Sequence, residues 1–226
     1  MRILFCNIAW MKYYKGKCEQ DIPVNGGSYV DKYHDATEST LFEPVEIYEA
    51  DDYMGEGLYC LGSVETKHHK DANGDRVSNQ LHIENIDGCK GLENSDFARD
   101  VLVVWCAKEE HGTTTVVGWY KNATVCRYYH TYIFEYSEGE EEERWYNVFA
   151  KTDDCVLLPP GPRHRHLWNV PRSKKQGRTF GFGQAQTWYA SDTANDPYEC
   201  EFVKRIVKQI DKYEDENWLF QYPDSQ

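Results

Sequence analysis

Eight basic side chains fall within sixteen positions of an otherwise acidic chain: Arg163, His164, Arg165, His166, Arg172, Lys174, Lys175 and Arg178. Guanidinium groups offer planar donor forks to phosphate oxygens and ammonium groups add point charge, so Arg163 and Arg165 are candidate phosphate contacts. A solvated or internally paired charge face is the competing reading. Immediately downstream, GFGQAQTWYA (181–190) alternates Gln184 and Gln186 with small and aromatic residues. An amide can pair with a base edge while a ring stacks on its face, which makes Gln184 a candidate ligand contact. Trp188 and Tyr189 read equally as core. The third constellation is VVGWYKNATVCR (116–127), where Trp119, Tyr120, Lys121 and Asn122 stand side by side after a short apolar run. Successive strand side chains point to opposite faces, so Trp119 is expected to meet a ligand and Tyr120 the core, with Lys121 and Asn122 supplying a cation and an amide.

Other chemistries are poorly served. His68, His69, Asp71, Asn73 and Asp75 cluster, and DANGD resembles part of a calcium loop, but counting twelve from Asp71 reaches His82 instead of a bidentate carboxylate. Gly181 and Gly183 imitate part of a dinucleotide fingerprint without a preceding strand or a following helix. GxSxG, HExxH and P-loop signatures are absent from the sequence. No catalytic residue, metal or cofactor is therefore assigned. An enzyme acting on a nucleotide or small ligand, with His111, His164 or His166 as acid or base, is the alternative of a different class. A protein-interaction domain whose aromatics are core is the second.

Composition sets the frame. The 226 residues carry a formal charge of −13 and 28% charged side chains, which disfavours holding nucleic acid by blanket phosphate neutralisation but allows a local basic groove. Cys6, Cys18, Cys60, Cys89, Cys106, Cys126, Cys155 and Cys200 are scattered without a CxxC pair, several in apolar runs, and read as reduced thiols. No stretch approaches the roughly 18 apolar residues of a membrane span, and the start MRILFCNIAW lacks a signal-peptide pattern. A cytoplasmic protein with no membrane partner is expected, and the Asn122-Ala123-Thr124 sequon is accidental on that reading.

Positioning these residues requires mainly strands. RILFCNI (2–8) is β-type, the aromatic stretch 10–14 leaves the sheet, and VNGGSYV (24–30) marks a tight turn that could open a helix at Ser28. Residues 59–63 and 80–86 read as short strands separated by a polar loop or hairpin. VLVVWCA (101–107) and TVVGWYKN (115–122) flank KEEHGTT as adjacent antiparallel strands. Two further strand-like runs bracket an acidic tip, CVLLP ends at prolines, and apolar residues from Phe202 to Tyr213 recur at helical spacing after Pro197, predicting a helix over about 197–213.

The set RILFCNIAWMKYYKG, VNGGSYV, VLVVWCAKEEHGTTTVVGWYKNATVCR, CVLLP, GQAQTWYA and a terminal amphipathic helix resembles a bacterial domain found N-terminal in some HNH-nuclease proteins. More loosely it is similar to PUA-superfamily domains of the EVE and YTH type. That resemblance implies one α+β domain over 1–226, a twisted, partly closed, mostly antiparallel PUA-like barrel with flanking helices. It further implies a non-catalytic module that recognises a modified nucleobase or nucleic acid in an aromatic pocket. The ligand contacts it implies are Asn7 and Trp10 after the first strand, Asn25, Gly26, Gly27 and Ser28 at the turn, Trp105, and Trp119, Lys121 and Asn122. No HNH-type His-Asn-His segment is present, so a separate nuclease or other effector protein is the partner implied.

Overall fold

The run Ile3–Ile8 (β1) is apolar on both parities apart from Asn7, and such a strand must be covered on both faces. In the computed structural model, which describes residues 1–26, 28–34, 36–50, 53–66, 68–70, 73–74, 76–78, 80–135, 141–172 and 180–223, all six of its residues are buried. A short helix α1 (Ser28–Tyr33) follows, then β2 (Pro44–Ile47), β3 (Gly57–Gly62) and a two-stranded hairpin of β4 (His68–Lys70) and β5 (Arg76–Ser78). Three long strands come next, β6 (Phe97–Lys108), β7 (Thr114–Glu135) and β8 (Glu141–Lys151). The chain closes with β9 (Cys155–Leu157), the single turn α2 (Pro160–Arg163), β10 (Thr187–Trp188) and α3 (Pro197–Asp211).

The fold is α+β, built on one mixed eight-stranded sheet in the order β10-β1-β6-β7-β8-β3-β2, with β9 also paired to β7. β1 runs parallel to β6, and the other ladders are antiparallel. β6 and β7 form the expected neighbouring pair, both longer than the sequence suggests. The strand path is open, with β10 and β2 at its two ends among the described residues, so partial closure into a barrel is not what this sheet does. The stretch 80–86, expected as a strand, contains a 3-10 turn at Ile83–Asn85 that packs Ile83 and Ile86 into the core. No helix among the described residues is long and apolar enough to cross a membrane.

Two cores sandwich the sheet. Leu4, Cys6, Ile8, Val103, Trp105 and Tyr120 face one, covered by Trp10, Met11, Tyr14, Leu41, Phe42 and Leu219 from the loops. Ile3, Phe5, Val104, Cys106 and Trp119 face the other, covered by Trp168, Phe182 and the α3 stripe of Phe202, Val203, Ile206 and Ile210. That stripe is the one the helical spacing predicted. Asp196 caps the helix, its side chain accepting from the N–H groups of Tyr198 and Glu199. α3 ends at Asp211, two residues before the expected limit, while Tyr213 still packs its ring edge-on to Trp119 at 5.2 Å.

β7, like β1 and β6, serves both cores by alternation, and against β6 it carries two extra residues. Register with β6 shifts between Trp105 and Cys106, and again between Val101 and Val103, each extra residue reversing which face the following side chains meet. Gly118 sits at the first irregularity, where a Cβ would lie 2.4 Å from the Val156 carbonyl and 2.5 Å from the Phe42 ring. Both neighbours are confined, one by the β7–β9 ladder and one by the core. Gly118→Ala is expected to destabilise the chain by about 3 kcal/mol, read as a lower urea midpoint, whereas Gly91→Ala, which meets nothing within 4 Å, should stay within about 0.5 kcal/mol.

Candidate functional site

Asn7 is the one polar residue on an otherwise apolar β1, and burying an amide requires partners for both its ends. It has them. Its Nδ2 donates to Gln186 Oε1 at 2.7 Å, and its Oδ1 accepts from Arg172 Nη1 at 2.6 Å. The Asn7 N–H also donates to the Gln186 carbonyl at 2.7 Å, in line with the β1–β10 ladder. Beside Arg172 two stretches of chain meet: Phe182 N–H bonds the Pro171 carbonyl, and Gly181, at φ 120°, lies where a Cβ would stand 2.3 Å from that oxygen. Only glycine fits there without displacing the backbone. Asn7 thus joins Gln186, on the sheet edge, to Arg172.

Counting donors defines what this cluster can do. Asn7 has spent its acceptor on the guanidinium and a donor on Gln186. Among the described residues the Gln186 NH2 and the Arg172 Nε and Nη2 groups, all donors, meet no acceptor. Among the described residues no carboxylate lies within ion-pair distance of Arg172. The arrangement is a half-buried, donor-only edge held in place by a buried amide. Its complement is a group of acceptor oxygens, as on a phosphate, a carboxylate or a base carbonyl.

Of the sequence candidates, the structure brings Asn7 to this cluster and disperses the rest. Gln184 is exposed, and Gln186 takes the amide role instead. The proposed tryptophan cage does not form. Trp105 is fully buried in one core, edge-on to Tyr120, and Trp119, 1% exposed, is buried in the other, stacked on Trp168 at 5.6 Å. Trp119 and Tyr120 do point opposite ways, but each enters its own core, so the expectation that Trp119 meets a ligand is overturned. Trp10 is buried with the Trp105 core and lies against the Arg163 guanidinium, 5.2 Å from its ring centroid.

The glycine turn is likewise structural. Asn25, at φ 58°, donates to the Lys108 carbonyl and ties the turn to the end of β6. A Cβ on Gly26 would meet Val30 at 2.3 Å and Ala9 at 2.8 Å, so the backbone there faces packing instead of a ligand. Gly27 lies outside the described residues, and Ser28 begins α1. Asn122, at φ 48° in the second bulge, donates to Asp154, and Lys121 pairs with Asp211 of α3 at 3.2 Å.

Arg163 corrects the phosphate assignment most sharply. It is wholly buried, and its Nε, Nη1 and Nη2 donate to the carbonyls of Leu158, Met11 and Lys12 at 2.7–2.8 Å. Burial brings its pKa down to about 10, partly offset by Tyr14, Asp21 and Glu109. With every nitrogen engaged it holds the 9–24 segment to α2, and no phosphate could reach it. Arg165 is exposed and stands 4.0 Å from Asp215. Lys174, Lys175 and Arg178 lie outside the described residues.

The acid–base histidines are engaged separately: His164 faces Glu109 at 3.6 Å, His166 bonds Asn169, and His111 is exposed on the β6–β7 turn. His68 and His69 form part of β4, and Asp71 and Asp75 lie outside the described residues. No group of three metal-ligating side chains occurs among the described residues. All eight cysteines are unpaired. A recess lined by Leu61, Phe134, Arg144 and Tyr146 has a free volume of about 10 Å³, room for about one water molecule.

One reactive-looking group escaped sequence reading. Lys15 Nζ donates to the carbonyls of Phe42 and Leu219 and lies over the Tyr222 ring at 4.9 Å. Burial lowers its pKa to about 8. Its donors are turned onto backbone oxygens, so it fastens the C-terminal segment. Nothing in the sequence around Lys15 distinguishes it from a surface lysine.

No family model, curated protein or solved structure matches the chain.

Two outcomes test these structural roles. Arg163→Leu takes the donors from three carbonyls, those of Leu158 and Met11 in buried bonds, and should cost about 3 kcal/mol or more in urea unfolding. For Lys15, both folded and unfolded chains are protonated well below pH 8 and the burial penalty is carried in full. Between about 8 and the ordinary lysine value of 10.5 only the unfolded chain keeps the proton, so this residue makes stability rise with pH. Unfolding midpoints should increase from about pH 7.5 to about pH 9.5, and Lys15→Met should flatten that increase.

Proposed function

We propose that the chain is a non-catalytic recognition module for a nucleotide or nucleic-acid strand, bound through the Asn7–Gln186–Arg172 cluster. The observation that supports this reading is a guanidinium with no carboxylate within ion-pair distance among the described residues, hydrogen-bonded to a buried amide that also bonds a second amide. Arg172 takes a phosphate oxygen and Gln186 an acceptor on a base edge, the division of labour by which charge positions and amides discriminate. Phe180, half-buried and stacked on Trp188 at 5.9 Å, is the ring carried by the same stretch of chain as Gln186.

The likeness to PUA-superfamily base readers supports the ligand class, and the α+β sheet with flanking helices is compatible with it. A modified base belongs to the proposal, but read by donors at the sheet edge, since an aromatic cage of Trp10, Trp105 and Trp119 is not available. A nuclease or other effector as partner rests on the HNH-associated resemblance alone.

Binding of short fluorescent oligonucleotides, single-stranded and duplex, with cytosine, 5-methylcytosine or 5-hydroxymethylcytosine, tests the reading. At about 0.1 M salt Arg172→Ala should weaken binding about tenfold and lower the salt slope, because one phosphate contact is lost. Gln186→Ala should reduce discrimination between bases with little change in slope. Unchanged affinity in Arg172→Ala, at an unchanged melting temperature, would overturn the proposal, as would no binding by any oligonucleotide.

A further inference from the structure

β7 and β8 run past the rest of the sheet. β6 pairs β7 only up to Cys126, and β3 pairs β8 from Val148 to Lys151, so from His130/Tyr146 to Glu135/Glu141 the two strands pair each other alone. The ribbon has two unlike faces. One packs on the outer end of the sheet, where Tyr132, Phe134 and Tyr146 join Val45, Tyr59 and Phe149. Arg144 lies on that face, ion-paired to Glu43 and Glu142 and 3.9 Å over the Phe134 ring.

The opposite face is uncovered. Thr131 faces Trp145 across the ladder and Ile133 faces Glu143. Trp145 is 51% and Ile133 55% exposed, with Tyr129 edge-on to the indole at 6.2 Å and Tyr128 exposed near the ribbon's base. Tryptophan and isoleucine held half in water by a fixed backbone are costly for an isolated chain and effective as anchors for a partner. Charge says which partner. Glu141 and Glu143 are exposed beside the anchors, six of the nine residues 135–143 are glutamate, and the ribbon's arginine is turned to the other face. A second copy of this face would oppose carboxylates to carboxylates, and a nucleic-acid strand would meet the same repulsion.

We infer that this face docks a Lys/Arg-rich, partly apolar segment of another protein. A guanidinium or ammonium of the partner lies over Trp145, neighbouring cations meet Glu141 and Glu143, and an aliphatic side chain covers Ile133. The chain's charge of −13 steers such a segment toward it.

A fluorescein-labelled peptide of alternating Arg and Leu, with its Glu/Leu counterpart as control, tests this by polarisation on the full chain. The cationic peptide alone should bind, weakening as salt rises. Trp145→Ser, and separately Glu141→Gln with Glu143→Gln, should each reduce affinity about tenfold at an unchanged melting temperature. Arg172→Ala should leave it unaltered, which separates this face from the Asn7 cluster. Equal affinity in the Trp145 and glutamate variants would overturn the inference, as would no binding. A concentration-dependent dimer abolished by Trp145→Ser, or displacement of the peptide by a single-stranded oligonucleotide from this face, would overturn it too.

Discussion

The buried guanidinium of Arg163 is the interaction on which the sheet's loop-covered face depends. A charge taken out of water is stabilised only when every donor finds a well-placed acceptor, and here three carbonyls from two distant segments, Met11 and Lys12 on one side and Leu158 on the other, supply them. Trp10 and Tyr14 lie against the cation at 5.2 and 5.9 Å. The same loop turns its N–H groups the other way: those of Lys12, Tyr13 and Tyr14 converge on the buried Asp21 carboxylate at 2.5, 2.7 and 3.0 Å. An irregular segment with no helix or strand to satisfy its backbone thus has its carbonyls met by a buried cation and its amides by a buried anion.

That arrangement explains how two long cores can share one sheet. The loop from 9 to 24 seals the Trp105 face where α3 seals the Trp119 face, and β7 must supply large side chains to both. Alternation sends Trp119 and Tyr120 into opposite cores, and the extra residues against β6 shift parity, so that Val117, Tyr120, Ala123 and Val125 all reach the Trp105 side. The residue types that look like a binding motif in GWYKN are the consequence of a strand serving two interiors. Lys121 then anchors α3, and Asn122 adopts the left-handed conformation that asparagine tolerates well.

Much of the architecture was legible because it rests on local periodicity. The strands 2–8, 101–107 and 115–122 are legible as short apolar β-type runs and the stripe Phe202–Ile210 as helical spacing, and the structure places strands and a helix over each. The parallel pairing of β1 with β6 was not legible, since nothing in RILFCNI states its partner, and neither were the register shifts between β6 and β7. The site was legible only in part. Asn7 was named only through the resemblance, Gln186 was indistinguishable from Gln184 until a sheet edge chose one, and Arg163 and Arg172 carry the same side chain in the same basic run. Which arginine is sealed and which is presented is decided by tertiary contacts more than a hundred residues away in sequence.

Those two arginines also show how a net-acidic chain can keep a local cationic group, as the proposed recognition of a nucleotide requires. At physiological ionic strength fields are screened beyond about 8 Å, so the net charge governs the approach of a ligand while the last few ångströms are governed by local donors. Arg163 presents no donor outward, because its nitrogens are taken up by the carbonyls of Leu158, Met11 and Lys12. Arg172 is held by a neutral amide, and Asn7 fixes its direction without cancelling its charge. Had a carboxylate occupied position 7, the same geometry would have produced an internal ion pair with no affinity left for an acceptor. Holding a cation with an amide, in place of a carboxylate, leaves its charge uncancelled.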